Sequence, residues 1–179
     1  MRSVPLATGT YTLGPDGTSL QVRTYREGMA AKAGHDLVIE VTSWEATLDL
    51  GESPAITLTA DARSLKVREG TGGMKSLDDD DKANIEQTID DEVLKGATIE
   101  FRSSSVTVDG DRVTVRGELD LGGRRQPITF ELLHRDGRLA GSATVKQTGW
   151  GIKPYSALFG TLKVADEVEV GIDVNTRRD

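Results

Sequence analysis

The segment HDLVIEVTSWEATLDL, residues 35–50, carries the alternation of apolar and polar residues that indicates the fold class of this chain. Apolar residues take every second position in 37–41, and the alternation resumes with the opposite parity in 44–50. A period of two is typical of a β-strand, whose successive side chains point to opposite faces. The change of parity near Ser43 predicts a bulge, a bend or two consecutive strands.

The same alternation recurs along most of the chain between short turn sequences. GPDG at 14–17, DGD at 109–111 and GG at 122–123 are typical of tight turns between antiparallel strands. The predicted order is strands, one helix and then about five more strands joined mostly by hairpins, which is the pattern of an antiparallel meander. No linker-like stretch divides the sequence, so we expect a single domain over 1–179.

One segment, SLDDDDKANIEQTIDDEVL at 76–94, predicts an α-helix instead. Its apolar residues fit one helical stripe: Ala83, Ile85, Ile89, Val93 and Leu94. The four aspartates Asp78–Asp81 precede this stripe, where carboxylates stabilise a helix N-terminus and one can serve as the N-cap. A calcium loop of the EF-hand type is not expected, because Ala83 stands where that loop needs glycine.

About eight strands of this length favour an antiparallel barrel, since closure removes the exposed sheet edges. The alternative is two facing sheets. Bulky fillers are scarce, with 3 Phe, 3 Tyr and 2 Trp in 179 residues. A barrel of eight strands is the size that either fills with side chains or holds one small ligand. We therefore predict a mainly all-β fold, an antiparallel eight-stranded barrel with one flanking α-helix and an apolar lumen.

The composition excludes several classes of function. The net charge of −7 disfavours nucleic acid as a partner, and the absence of cysteine excludes disulfides and thiolate sites. No apolar run approaches the ~20 residues of a transmembrane helix. The N-terminus lacks the apolar core of a secretory signal, so we expect a cytoplasmic protein as written, and a periplasmic or secreted one if a leader has been removed.

His35 and Asp36 allow three interpretations: a catalytic pair, a metal site or residues that shape the entry to a strand. Neighbours on a strand point to opposite faces, which disfavours a catalytic pair, and no G-x-S-x-G elbow is present. Zinc requires three or four convergent ligands, and the only other histidine is the distant His134. The sequence favours a structural role in which Asp36 bonds nearby backbone N–H groups, and leaves open a place for His35 at the mouth of a cavity.

Several long segments resemble the YceI-like family of polyisoprenoid-binding, lipocalin-like proteins. They are GTYTLGPDGTSLQVRTY (9–25), HDLVIEVTSWEATLDL (35–50), ATIEFRSSSVTV (97–108), VRGELDLGGRRQPITFEL (115–132) and GWGIKPYSALFGTLKVADEVEVGIDV (149–174). Compared with the usual family pattern, Val93 and Leu94 replace an aromatic pair, Ala97 replaces a proline, and Trp150 stands in a late loop where other members carry a charged pair and phenylalanine.

The resemblance implies a lipocalin-like barrel around an elongated apolar cavity that binds a long-chain amphiphile, such as an isoprenoid quinone, a polyprenyl phosphate or a fatty amide. It implies a non-enzymatic carrier or sequestering protein, no cofactor or metal beyond a bound isoprenoid or acyl lipid, and a homodimer. The competing hypotheses are a protein-interaction barrel with a filled core and an enzyme acting through His35 and Asp36.

The candidate ligand-binding residues are apolar, lie on segments of period two and fall in the stretches that carry the resemblance. They are Leu37, Ile39, Val41, Trp44, Leu48, Ile99, Phe101, Leu119, Phe130, Leu132, Trp150, Ile152, Leu158 and Phe159, with His35 at the mouth.

Overall fold

The computed structural model describes residues 7–157 and 160–176, and β-strands dominate them. In chain order the strands are β1 (Thr10–Leu13), β2 (Ser19–Thr24), β3 (Arg26–Glu27), β4 (His35–Val41), β5 (Trp44–Asp49), β6 (Ala55–Asp61), β7 (Leu65–Gly72), β8 (Thr98–Asp109), β9 (Arg112–Leu121), β10 (Arg124–Arg135), β11 (Arg138–Lys146), β12 (Ser156–Ala157), β13 (Leu162–Val164) and β14 (Glu167–Asn175).

Eleven of these strands form one antiparallel sheet in the order β1-β5-β6-β8-β9-β10-β11-β14-β2-β4-β7, and β12-β13-β3 form a small second sheet. The main sheet curls, because β4 runs into β5 through two residues and β6 runs into β7 through the short turn Ala62–Ser64. Backbone bonds from Thr42 N–H to Ser64 O and from Asp61 N–H to Ser43 O, both 3.0 Å, continue the pairing across these bends.

The described residues confirm the mainly β, antiparallel class, the single long helix and the break in the strand near Ser43. The predicted number of eight strands is wrong, since the main sheet has eleven strands, in an order that begins at β1 and ends at β7. The physical reason is that two long strands are each divided by a sharp bend, and the short β1 pairs with β5 as an additional edge.

The helix α1 spans Asp79–Thr88 and continues as one π-helical segment, Ile89–Leu94. Asp78 is the N-cap: its carboxylate accepts from Asp81 N–H at 2.7 Å, and Asp81 accepts from Asp78 N–H at 3.1 Å. The predicted cap is thus confirmed as a capping box, in which each carboxylate satisfies a backbone donor of the first turn. The hydrogen bond that Asp81 accepts from the backbone N–H of Asp78 is the main cause that lowers the pKa of Asp81 below its usual value.

The helix lies along the outer strand β7 of the sheet. Glu86 accepts a hydrogen bond from Val67 N–H at 3.3 Å and pairs with Lys66 at 3.6 Å, and Arg63 pairs with Asp90 at 3.8 Å. The helix therefore covers one edge of the curled sheet.

The two ends of the curled sheet are packed differently. At the closed end, near the turns at 110–111 and 136–137, four inward side chains are at most 1% exposed: Val113, Val115, Leu139 and Val174. At the open end, near the turn at 122–123 and the start of β14, inward apolar side chains are only half-buried. The core is thus filled at one end and hollow at the other.

Candidate ligand-binding cavity

A cavity of about 450 Å3 occupies the open half, between the curled sheet and the helix. Its wall consists of the inward residues of successive strands, which stand side by side because the pairing register aligns them. Phe101 on β8 pairs with Leu119 on β9, and Ala143 on β11 pairs with Val170 on β14. Period-two alternation on neighbouring strands therefore builds a continuous apolar wall.

The helix supplies the remaining side of the cavity through Ile85, Ile89, Val93 and Leu94. All four are half-buried, and no residue of the helix is fully buried. In a π-helix the hydrogen bonds join residues five apart, which keeps Ile89 and Leu94 on one face. The apolar stripe predicted from the sequence thus faces the cavity, except that Ala83 is exposed.

Polar groups in the wall are few. None of the described residues that line the cavity carries a formal charge, and the polar ones are Thr24, Asn84, Thr88, Ser142, Gln147 and Tyr155. An ion buried without a partner is strongly disfavoured in such surroundings. The wall is therefore suited to the uncharged part of a ligand.

A short hydrogen-bonded turn fixes one side of the open end. Asp166 accepts from Thr148 N–H at 2.8 Å and from the Thr148 hydroxyl at 2.6 Å, and Gln147 donates its amide N–H to Ala165 O at 3.1 Å. The Thr148 hydroxyl and then its N–H hold the pKa of Asp166 below its usual value. These bonds position Gln147 in the cavity wall with its amide already bonded.

The YceI-like domain model matches residues 11–176, which is nearly the whole chain. The chain belongs to the YceI-like family. The crystal structure of BcnA from Burkholderia cenocepacia shares the fold, with a TM-score of 0.64 over 90% of this chain and 98% of that chain, at 15% identity. No curated protein matches the sequence. Within the described ranges, every helix is too short or too polar to cross a bilayer.

Nine of the candidate residues meet in the wall of this YceI-like cavity: Ile39, Val41, Leu48, Ile99, Phe101, Leu119, Phe130, Leu132 and Ile152. Leu158 and Phe159 lie outside the described residues. Leu37, Trp44, Trp150 and His35 are not among the described residues that line it.

The two tryptophans have structural positions in place of the predicted ones in the wall. Trp150 is 8% exposed, and its indole N–H donates to Leu119 O at 2.7 Å, which holds the turn at Gln147–Trp150 against β9. Trp44 is 6% exposed and lies at the bend between β4 and β5. Leu37 packs against the core near Gly70 instead of facing the cavity.

His35 contacts the loop before the helix, and Asp36 bonds to strand β3. The Nε2 atom of His35 lies 2.8 Å from Lys75 O, and Asp36 accepts from Arg26 N–H at 2.8 Å. The backbone bond predicted for Asp36 is confirmed. Among the residues that the structure describes, no three histidine or acidic side chains are grouped as metal ligands would be.

Sequence reasoning missed the contributions of β2, β6, β11, β14 and the helix to the wall. Apolar residues take every second position in 168–174, so the sequence did indicate that β14 has an inward apolar face. Asn84 and Thr88 gave no signal, because polar residues that face a cavity from a helix look like any exposed pair.

Proposed function

We propose that this YceI-like chain binds a long-chain amphiphile by enclosing its apolar tail, without catalysis and without a cofactor other than that lipid. The observation that carries the proposal is the hollow half of the sheet, about 450 Å3 bounded by apolar side chains and no charged one among the described wall residues. Known ligand pockets fall in the same range of volume and are mostly apolar.

The volume sets the length of tail that fits. If a methylene-sized group takes about 30 Å3, the share of a water molecule in its liquid, the cavity accommodates about 15 such groups. Each buried methylene contributes about 0.8 kcal/mol, so a full cavity gives roughly 12 kcal/mol before the costs of association. That energy supports tight binding with little recognition of a head group.

The difference in packing between the closed and open ends sets the orientation of a bound tail. The closed end is filled by Val113, Val115 and Val174, so a tail enters from the open end and its terminus lies on the filled core. A polar head then stays near the half-buried residues of the open end, in contact with water. We infer an isoprenoid or acyl tail of about three isoprene units or fourteen to sixteen carbons as the occupant, by the same volume argument.

Two competing hypotheses are less well supported. A protein-interaction barrel with a filled core does not agree with the hollow open half. An enzyme acting through His35 and Asp36 lacks support because both side chains bond to backbone groups, of the loop before the helix and of β3. His35 is also not among the described wall residues.

The test is to extract the purified protein with organic solvent and to identify released amphiphiles by mass spectrometry. The extracted protein is then titrated with a quinone of short isoprenoid tail and with palmitamide, while the thermal midpoint is measured. We expect either a co-purified amphiphile or a rise of the midpoint with ligand concentration. Absence of both would contradict the proposal.

A further inference from the structure

Among the residues that the structure describes, four large apolar side chains are exposed at the open end. Met29 is 96% exposed and Met74 is 89% exposed, and Tyr25 and Tyr155 are 41% and 40% exposed. Met29 lies in the loop between β3 and β4, and Met74 lies in the loop between β7 and the helix. Nothing in the fold explains two methionines that contact almost only water.

Hydrogen bonds join the loops that carry these residues. The guanidinium of Arg26 donates to Gly34 O at 3.1 Å and to Thr71 O at 2.7 Å, and His35 contacts Lys75 O at 2.8 Å. These bonds connect the Met29 loop to the Met74 loop. We call three segments the rim: 25–36, 71–82 and the described residues of the third, which are 151–157 and 160–165.

The third segment joins the rim through backbone bonds and reaches the cavity. Ala30 N–H donates to Thr161 O at 2.8 Å, and Val164 N–H donates to Tyr155 O at 3.0 Å. Tyr155 and Val164 also line the cavity. The exposed methionines therefore stand on fixed loops beside the entrance to the proposed tail site.

The rim is electrically neutral on an acidic protein. Its six basic residues balance its six acidic ones, whereas the chain as a whole has a net charge of −7. The basic residues are Arg26, Lys32, Lys75, Lys82, Lys153 and Lys163, and the acidic ones are Glu27, Asp36, Asp78, Asp79, Asp80 and Asp81. A rim without net charge that exposes methionine and tyrosine suits an uncharged membrane surface, while the rest of the chain is repelled by an anionic one.

We propose that the rim docks on a zwitterionic lipid bilayer, with Met29 and Met74 inserted into the interface between head groups and acyl chains. Flexible methionine side chains adapt to such a surface, and tyrosine is favoured at the same depth. The proposal rests on the proposed function for its purpose, because docking lets a tail pass from the bilayer into the cavity without crossing water.

The test is flotation of the full chain with phosphatidylcholine vesicles. We expect the wild type to float, and the M29S/M74S variant to lose at least about tenfold in partition, since each inserted side chain loses apolar burial. The matched control is V108S/L133S: Val108 and Leu133 are 45% and 38% exposed but lie near the closed end, so partition should change by less than about twofold.

Three results would overturn docking. They are a wild type that stays with the soluble fraction, a methionine variant that floats as well as the wild type, and binding that requires anionic lipid and weakens with salt. Sedimentation velocity adds a fourth: a dimer that M29S/M74S dissociates would make a second copy of the chain the partner of the rim.

Binding of a fluorescent fatty amide below its critical micelle concentration separates this inference from the proposed function. We expect M29S/M74S to bind this probe as the wild type does. A wild type that floats but does not bind the probe would contradict the proposed function and support docking. A wild type that binds the probe but does not float would contradict docking and support the proposed function.

Discussion

Replacing Ala60 and Ala143 by leucine tests whether the open half of the sheet is empty. Both alanines lie in the cavity wall, on β6 and β11, and both are half-buried. Leucine adds three carbon atoms at each site, so the pair adds about 180 Å3 at ~30 Å3 per group. That is about two-fifths of the cavity volume of about 450 Å3.

In a hollow cavity the added carbons bury apolar surface without a clash. Burying the three added carbon groups contributes about 0.8 kcal/mol each, and fixing the leucine side chain costs about 0.5–1 kcal/mol of conformational entropy. The net effect is a stabilisation of roughly 1–2 kcal/mol per leucine. In a filled core the same change costs about 1–3 kcal/mol per site through overpacking. The sign of the change in unfolding free energy therefore distinguishes a hollow cavity from a filled core.

The assay is urea unfolding of A60L/A143L beside the wild type and A62L. Ala62 is 4% exposed and is not among the described wall residues, so A62L should be destabilised by about 1–3 kcal/mol. The double variant should be more stable than the wild type by about 3 kcal/mol, and should bind a sixteen-carbon amide more weakly but an eight-carbon amide equally well. A double variant destabilised like A62L, or one that still binds the long amide as tightly as the wild type, would contradict a hollow open half.

Three further predictions follow from the hydrogen bonds and close contacts around the cavity. W150F should lower the unfolding free energy by about 1–3 kcal/mol in urea unfolding, because Leu119 O loses its donor; an unchanged midpoint would contradict this role. D166N should be less stable than the wild type at neutral pH, since the lowered pKa of Asp166 contributes stability above the unfolded value of about 3.9. That contribution disappears as pH falls through the folded pKa, so the thermal midpoints should converge in acid, and a constant gap would exclude the linkage. G141A should be destabilised in the same urea assay, because a Cβ at Gly141 would overlap a carbonyl oxygen of β10; wild-type stability would show that β10 and β11 separate easily.

Local patterns predicted the kind and order of the elements but not the number of strands in the main sheet. The parity change near Ser43 marks the bend, and the apolar stripe of 76–94 marks the helix, because both signals depend on neighbouring residues only. The predicted number of strands was too low because a bend can divide a strand where the sequence has no residues typical of a turn. Ala62–Ser64 continues the chain in extended segments on both sides and contains neither glycine nor proline.

The sequence predicted part of the cavity wall, because alternation along a strand shows which residues share a face. Alternation identified Phe101, Leu119 and Phe130, which face inward because their strands are paired in register. It also selected Trp150, which is not among the described wall residues and whose indole N–H donates to Leu119 O. A buried indole N–H usually finds an acceptor. Trp150 has one in Leu119 O, whereas the buried Nε1 of Trp44 has no hydrogen-bond partner among the described residues.

The most direct test of the apolar cavity is the affinity of the delipidated protein for a series of uncharged primary fatty amides from eight to twenty carbons, measured by calorimetry. The cavity volume predicts that affinity rises about fourfold per carbon and levels off near fifteen carbons, where the cavity is full. Affinity that does not depend on chain length, or no binding at any length, would contradict the account.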